Sequence, residues 1–293
     1  MPEPPARWPS PAKLNLFLRI TGRRPDGYHA LQTLFQFLEV GDEIVFELLP
    51  PGRIELAEAL PGVPAREHLC VRAALLLRDH APGAGVRIRL EKRIPMGAGL
   101  GGGSSNAATT LVALNRLWGC GLATEALAAL ALGLGADVPV FVRGLASWGE
   151  GIGERLTPVR LPRPWYVVVH PGCHVSSAEI FNAADLTRNS PPLKIPAFLL
   201  SSGEPPSVRD VLAIAGNDCQ PAARRRHREI GEALEWLSGF TEARMTGTGA
   251  AVFGPFAERA EAERAARAAP ASWWVRVARG RNESPLRRHL PGA

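Results

Sequence analysis

The 293-residue chain has no run of about 18 or more apolar residues, so no segment is expected to cross a membrane as a helix. Its opening, MPEPPARWPSPAK, lacks an apolar h-region and a small-residue cleavage site, and does not read as a secretory signal. Cysteine is scarce. Cys70, Cys120, Cys173 and Cys219 stand far apart with no C-x-x-C pair. That spacing argues against a zinc site or a disulfide framework and fits reduced thiols in a cytoplasmic protein. Internal repeats are absent, and low complexity is confined to the Ala/Arg/Glu stretch 257–269, which reads as an exposed helix.

What is present is ordinary globular material: 46% hydrophobic and 21% charged residues, enough for one large domain or two of moderate size. The formal net charge of +6 admits nucleic acid, a membrane surface or an anionic small molecule as partner. The densest basic cluster, Arg224, Arg225, Arg226, His227 and Arg228, is followed at once by Glu229 and Glu232. It reads as the solvated start of a helix rather than a nucleic-acid face.

Residues 13–20 alternate, with Leu14, Leu16, Leu18 and Ile20 on one side and Lys13, Asn15, Phe17 and Arg19 on the other. This predicts a strand with one core face and one polar face. Further strands are expected at 44–48, 86–90, 165–169, 250–253 and 273–278. Helices are expected at 104–118, with Ser104 or Ser105 as N-cap, and at 124–132, 227–238 and 258–268. The Pro/Arg stretch RLPRPW reads as a linker and residues 190–206 as a loop. The sum is an α+β chain of two domains, 1–160 and 161–293.

The strongest local signal runs through Pro95, Met96, Gly97, Ala98, Gly99, Leu100, Gly101, Gly102, Gly103, Ser104 and Ser105. Glycine admits close approach to the backbone, and a helix N-terminus favours an anion, so a polyphosphate is the natural guest. Gly97, Gly99 and Gly102 satisfy G-x-G-x-x-G, but no acid follows about 20 residues on and no βαβ pattern surrounds them. No Gly-Lys-Ser/Thr closes the loop, which excludes a Walker motif, and the other protein-kinase motifs are missing.

Three stretches together resemble the GHMP kinase superfamily, which includes galactose, homoserine, mevalonate and phosphomevalonate kinases. They are Pro11-Ala-Lys-Leu-Asn-Leu, the loop at 95–106, and the second glycine loop Arg244-Met-Thr-Gly-Thr-Gly-Ala-Ala-Val-Phe. The segments Asp26-Gly-Tyr-His, Leu134-Gly-Ala-Asp-Val-Pro and Gly216-Asn-Asp-Cys narrow the match to the branch that phosphorylates a CDP-linked methylerythritol. Gln220 and Ala251 depart from the usual pattern there. The resemblance implies a two-domain α+β fold, with an N-terminal domain like one found in ribosomal proteins and a C-terminal ferredoxin-like α/β sandwich.

By residue type alone, Asp137 is equally a helix cap, Lys13 a surface lysine, Tyr28 a core aromatic and His29 a surface histidine. The resemblance implies more. Asp137 becomes the catalytic carboxylate and Lys13 the cation that keeps it ionised and partners the substrate hydroxyl. Asn15 helps bind the substrate by holding its hydroxyl or that pair, and Tyr28, His29 and Phe181 hold the cytosine. The 95–105 loop cradles ATP, and Thr246, Gly247, Thr248 and Gly249 form a second loop beside the nucleotide or the substrate diphosphate. ATP is the implied co-substrate, with Mg²⁺ on its phosphates and no protein ligand to the metal identified. The implied molecule is cytoplasmic, a monomer or weak homodimer, with a small-molecule partner and neither nucleic acid nor membrane. Two other readings remain: a GHMP kinase for mevalonate- or sugar-type substrates, and a basic RNA-binding protein.

Overall fold

The computed structural model describes residues 6–290. In chain order its elements are β1 (Arg7–Arg23), β2 (His29–Leu49), β3 (Ile54–Leu56), α1 (Leu69–Leu77), β4 (Gly85–Glu91), α2 (Gly102–Leu117), α3 (Thr124–Leu132), α4 (Val138–Arg143), β5 (Ser147–Glu150), β6 (Arg155–Pro158) and β7 (Trp165–His170). Then come α5 (Ser177–Asn182), α6 (Ala197–Leu200), α7 (Val208–Ala213), α8 (Gln220–Arg226), α9 (Arg228–Ser238), β8 (Arg244–Met245), β9 (Val252–Phe256), α10 (Arg259–Arg267) and β10 (Trp274–Arg281). Among the described residues, no helix is long and apolar enough to cross a membrane.

The ten strands form one mixed sheet, ordered β3-β4-β2-β10-β7-β9-β8, with β1 along β2 and β5-β6 joined to β2. The 21-residue β2 organises it. Its residues 29–45 pair with β1, while β4, β10 and β5 pair with successive stretches of the same strand. Helices α1 to α4 cover the half built on β2 and β4, enclosing a core that includes Phe37, Ile44, Leu111 and Phe141. Leu286 and Leu290 return to that core from the far end of the chain. A second core, around Phe17, Trp148, Tyr166 and Phe253, sits where the two ends of the sheet meet. A third packs α8, α9 and α10 on β7 and β9.

β1 feeds all three cores, with Trp8 in the first, which changes the expected one-faced strand. Its pairing with β2 shifts register between Asn15 and Leu18. A bulge there re-aims the following side chains, so Leu14, Leu16 and Phe17 join the second core and Leu18 and Ile20 the third. The expected polar face is not a solvent face either: Lys13 and Asn15 are buried. The Arg224–Arg228 cluster is also corrected. Arg224, Arg225 and Arg226 end α8, where cations complement the helix dipole, and Arg225 and Arg226 both pair with Asp185.

Candidate active site

β1 is the platform of the site. Lys13 N donates to Leu100 O (3.0 Å), Asn15 N to Thr246 Oγ1 (2.9 Å) and Leu18 N to Gly216 O (3.1 Å). Both glycine loops therefore dock on the same few residues of one strand. They are also stitched to each other, because Ala250 N donates to Gly97 O (3.1 Å) and Ala251 N to Ala98 O (3.0 Å). This close approach explains a glycine: a Cβ on Gly99 would lie 2.4 Å from Thr246 O. Gln220 serves the same junction, its Oε1 accepting from Met245 N at 2.9 Å.

The Lys13 ammonium makes two hydrogen bonds and one ion pair. Asn15 Oδ1 lies at 2.5 Å, Gly99 O at 2.9 Å and Asp137 Oδ2 at 3.2 Å. Asn15 is fixed from its other end, since Nδ2 donates to Thr33 Oγ1 (2.8 Å) and Thr33 Oγ1 donates to Phe17 O (2.6 Å). Asp137 stands at the N-cap position of α4 but makes no side-chain cap bond. Its carboxylate faces Lys13 and remains about one-third exposed.

α2 begins two residues before the expected start, at Gly102, with Gly101 as N-cap at φ 71° and no side-chain cap. Neither Ser104 nor Ser105 caps it; the Ser105 hydroxyl accepts from Ser10 Oγ in the interior. The first-turn N–H groups of α2 are thus left to an anion rather than to a serine.

One cavity of about 910 Å³ joins these parts. It is lined by Lys13, Asn15, Asp137, every residue from 95 to 104, and Gly247 and Thr248. Ser105, Thr246 and Gly249 lie behind the wall: Thr246 is buried and holds Asn15 from there. The far end of the cavity holds Tyr28, His29 and Phe181. Tyr28 is 59% exposed at the mouth, while His29 is buried, the reverse of what each residue type alone suggests. The turn that presents them is closed by Gly27 N to Arg24 O (3.0 Å) and Arg24 N to Tyr28 O (2.8 Å). Phe181 stacks on the His29 ring at 5.2 Å and 18°. Ser177 Oγ, 2.8 Å from Thr248 Oγ1, ties the start of α5 to the second glycine loop.

Sequence reasoning missed the opposite end. Lys92, His68, Leu60 and Val63 line it. Lys92 Nζ pairs with Asp42 Oδ2 at 2.5 Å. Asp42 is fully buried and also accepts from Arg93 N (2.7 Å), Ile94 N (2.8 Å) and Asn106 Nδ2 (2.9 Å). It fixes the corner where β4 turns into the glycine loop. The usable signal was lysine itself: the chain's lysines are Lys13, Lys92 and Lys194, with arginine at every other basic position apart from histidine. Burial first, and Lys92 second, push the His68 pKa below its usual value; burial first, then Arg188 and Arg23, do so for His29. Both imidazoles are neutral near pH 7.

Residues 68–145 match the model of the GHMP kinases N terminal domain and residues 200–274 that of the GHMP kinases C terminal. The chain belongs to the GHMP kinase family. It is 54% identical over 97% of its length to 4-diphosphocytidyl-2-C-methyl-D-erythritol kinase of Alkalilimnicola ehrlichii, covering 94% of that protein. The enzyme of that name from Marinobacter nauticus is 52% identical, with 96% of each chain covered. A crystal structure of 4-(cytidine 5'-diphospho)-2C-methyl-D-erythritol kinase superposes with a TM-score of 0.77 at 37% identity, covering 94% of this chain and all of that one. A mevalonate kinase from Methanococcus jannaschii shares the GHMP kinase fold at a TM-score of 0.62 and 15% identity, covering 97% of this chain and all of that one.

Proposed function

We propose that this GHMP kinase transfers the γ-phosphoryl group of ATP to the 2-hydroxyl of 4-diphosphocytidyl-2-C-methyl-D-erythritol, a step in the methylerythritol phosphate route to isoprenoid precursors. One observation carries the reading beyond the names of its relatives. The aromatic clamp of Tyr28, His29 and Phe181 opens into the same cavity as the Lys13–Asp137 pair and the glycine loop. A nucleoside diphosphate bridges such a span, with its base in the clamp and its alditol at the carboxylate.

In the reaction the hydroxyl oxygen attacks the γ-phosphorus, the bond from that phosphorus to the β-bridging oxygen breaks, and ADP leaves. The hydroxyl proton passes to Asp137. Phosphoryl transfer asks the protein mainly for positioning and charge stabilisation, and a carboxylate of ordinary basicity takes the proton late. Lys13 donates to Asn15 and Gly99 and stands 3.2 Å from the Asp137 carboxylate, and its charge there holds that carboxylate ionised beside the hydroxyl. The 95–104 backbone and the first turn of α2 receive the ATP phosphates, with Lys92 beside them. Among the described residues there is no group of three or more His, Cys, Asp or Glu side chains arranged to hold a metal. A Mg²⁺ ion carried by the phosphates and by water fits such a site, and would supply charge neutralisation between the phosphate oxygens.

The test is transfer from γ-labelled ATP across a panel of CDP-alditols, free alditols, mevalonate and galactose. Labelled product with the CDP-methylerythritol alone supports the reading; label on mevalonate or galactose and none on CDP-alditols overturns it.

A further inference from the structure

The segment after α5 brings a second residue to the base pocket besides Phe181. Arg188 is half-buried, and every hydrogen bond it makes goes to a carbonyl or to an imidazole. Nη2 donates to Phe181 O (3.0 Å) and Ala183 O (2.6 Å), Nη1 to Leu186 O (3.2 Å) and Nε to His29 Nε2 (3.2 Å). The guanidinium thus holds both halves of the clamp at once, the backbone of Phe181 and the ring that Phe181 stacks on.

A guanidinium has donors and no acceptor. The ring nitrogen facing it must therefore present a lone pair. In a neutral imidazole with Nε2 as acceptor, the hydrogen sits on Nδ1. The ring is neutral because it is buried and because the charges bearing on it, Arg188 and Arg23, are both positive.

We propose that Arg188 is a positioning residue for base specificity: it locks His29 in the Nδ1–H tautomer, so that the nitrogen left for the ligand is a hydrogen-bond donor. This rests on the reading of Tyr28 and His29 as the cytidine pocket. Cytosine offers an acceptor at N3 beside its 2-carbonyl, whereas uracil carries N–H at N3. A fixed Nδ1–H donor accepts the first base and opposes the second. A free imidazole could change tautomer and serve either; one pinned by an arginine cannot.

The experiment has three arms. In the first, wild-type protein labelled with ¹⁵N-histidine is read by long-range ¹H–¹⁵N correlation at pH 7.5, with His29 assigned by its loss in His29→Ala. The expected pattern is Nδ1–H; an Nε2–H pattern overturns the proposal, and this readout needs no Arg188 variant to fold. In the second, inhibition by CDP and by UDP is measured in Arg188→Met and wild type at pH 8. At pH 8 the variant should lose about tenfold in CDP affinity, the worth of one hydrogen bond, with the CDP preference over UDP narrowed and the KM for ATP unchanged. A loss of affinity equal for CDP and UDP, with their ratio as in wild type, marks a merely structural arginine and overturns the proposal. The third arm is CDP inhibition of His29→Ala. Unchanged inhibition there removes the cytidine pocket and the specificity claim with it. Lost inhibition combined with the wrong tautomer leaves the pocket standing and removes Arg188 alone.

Discussion

Lys13 Nζ and Asp137 Oδ2 stand 3.2 Å apart, the lysine buried in the middle of a sheet strand and the carboxylate at the cavity wall. A buried ammonium is held there by its partners, and a carboxylate that neither caps its helix nor leaves the cavity is free for chemistry. Replacing Asp137 by Asn keeps the size and the acceptor for Lys13 but removes charge and basicity. We expect the single-turnover rate constant to fall by about 10²- to 10⁴-fold, with ATP and CDP-substrate affinities within a few-fold of wild type. Retention of more than about half the rate removes Asp137 from the mechanism.

The two glycines at the start of α2 should respond differently to the same substitution. Gly101 has φ 71°, and a Cβ on it would lie 2.7 Å from the Phe141 ring and 3.0 Å from Lys13 Cε. Gly101→Val is therefore strained in the backbone and pushes on the core and the catalytic lysine together. A strain of about 1–3 kcal/mol should lower Tm by several degrees, with loss of turnover. Gly102 has helical geometry, and its Cβ would meet Lys92 Nζ, which pairs with Asp42, at 2.9 Å and the buried Ile94 Cγ2 at 3.2 Å. Gly102→Val should fold with a modestly lower Tm as Ile94 gives way, raise the KM for ATP at least about tenfold and leave that for the CDP-substrate nearly unchanged, because Lys92 and the start of α2 line the phosphate side. Equal changes in both constants, measured by steady-state kinetics, would falsify that assignment.

The sequence was most legible where one local pattern decides one element. α3 occupies 124–132 as its apolar spacing indicates, and β7, α9, α10 and β10 lie where alternation or helical spacing placed them, within a few residues. It was least legible along 29–43, the first two-thirds of β2. There Leu34, Phe35, Phe37 and Leu38 are buried on both sides, between two different cores, so no alternation survives to be read. The missing serine cap on α2 has a related cause. The rule that a serine before an apolar run caps a helix assumes the helix end must satisfy itself, and here the first turn faces the cavity. Lys13, Asn15, Tyr28, His29, Phe181 and Asp137 converge on one cavity, whereas Asp42 with Lys92 at one end of it and Arg188 with His29 at the other belong to no local motif and are brought together only by the fold.

Acid should destabilise the fold well above the range where carboxylates titrate. His29, His68, His170 and His289 all have pKa values lowered from 6.5, with burial the largest cause in each. As pH falls below 6.5, the unfolded chain takes up protons at these positions that the folded chain refuses. The unfolded state is then favoured, so stability falls with falling pH, by up to about 1.4 kcal/mol per pH unit for each histidine. Tm should decline from pH 7 to pH 5.5. His68 also caps α1, its Nδ1 accepting from Cys70 N at 3.2 Å. Asn at 68 retains a capping oxygen without the titration, so His68→Asn should flatten the decline by up to one histidine's share. A Tm that is flat over this interval in wild type is incompatible with buried neutral histidines.

Recognition of the base should be separable from catalysis, because the clamp and the reacting carboxylate lie at different parts of one cavity. Tyr28 is exposed and packs no core, so Tyr28→Ala should leave Tm unchanged while removing a stacking face worth about 1–3 kcal/mol. Phe181→Ala removes the ring that stacks on His29, and His29→Ala removes the hydrogen-bonding ring itself. All three variants should raise the KM for the CDP-substrate and weaken CDP inhibition, with little change in the KM for ATP, since the glycine loops are held by β1 and by each other rather than by the clamp. Turnover at saturating substrate should fall less than substrate affinity does, because the base is unchanged in the reaction and the clamp binds it alike in the ground state and the transition state. The decisive measurement is the CDP inhibition constant in the three variants beside wild type. If CDP inhibits all of them as strongly as it inhibits wild type, the base is bound elsewhere, and the cavity's aromatic end has lost the argument that ties it to a cytidine nucleotide.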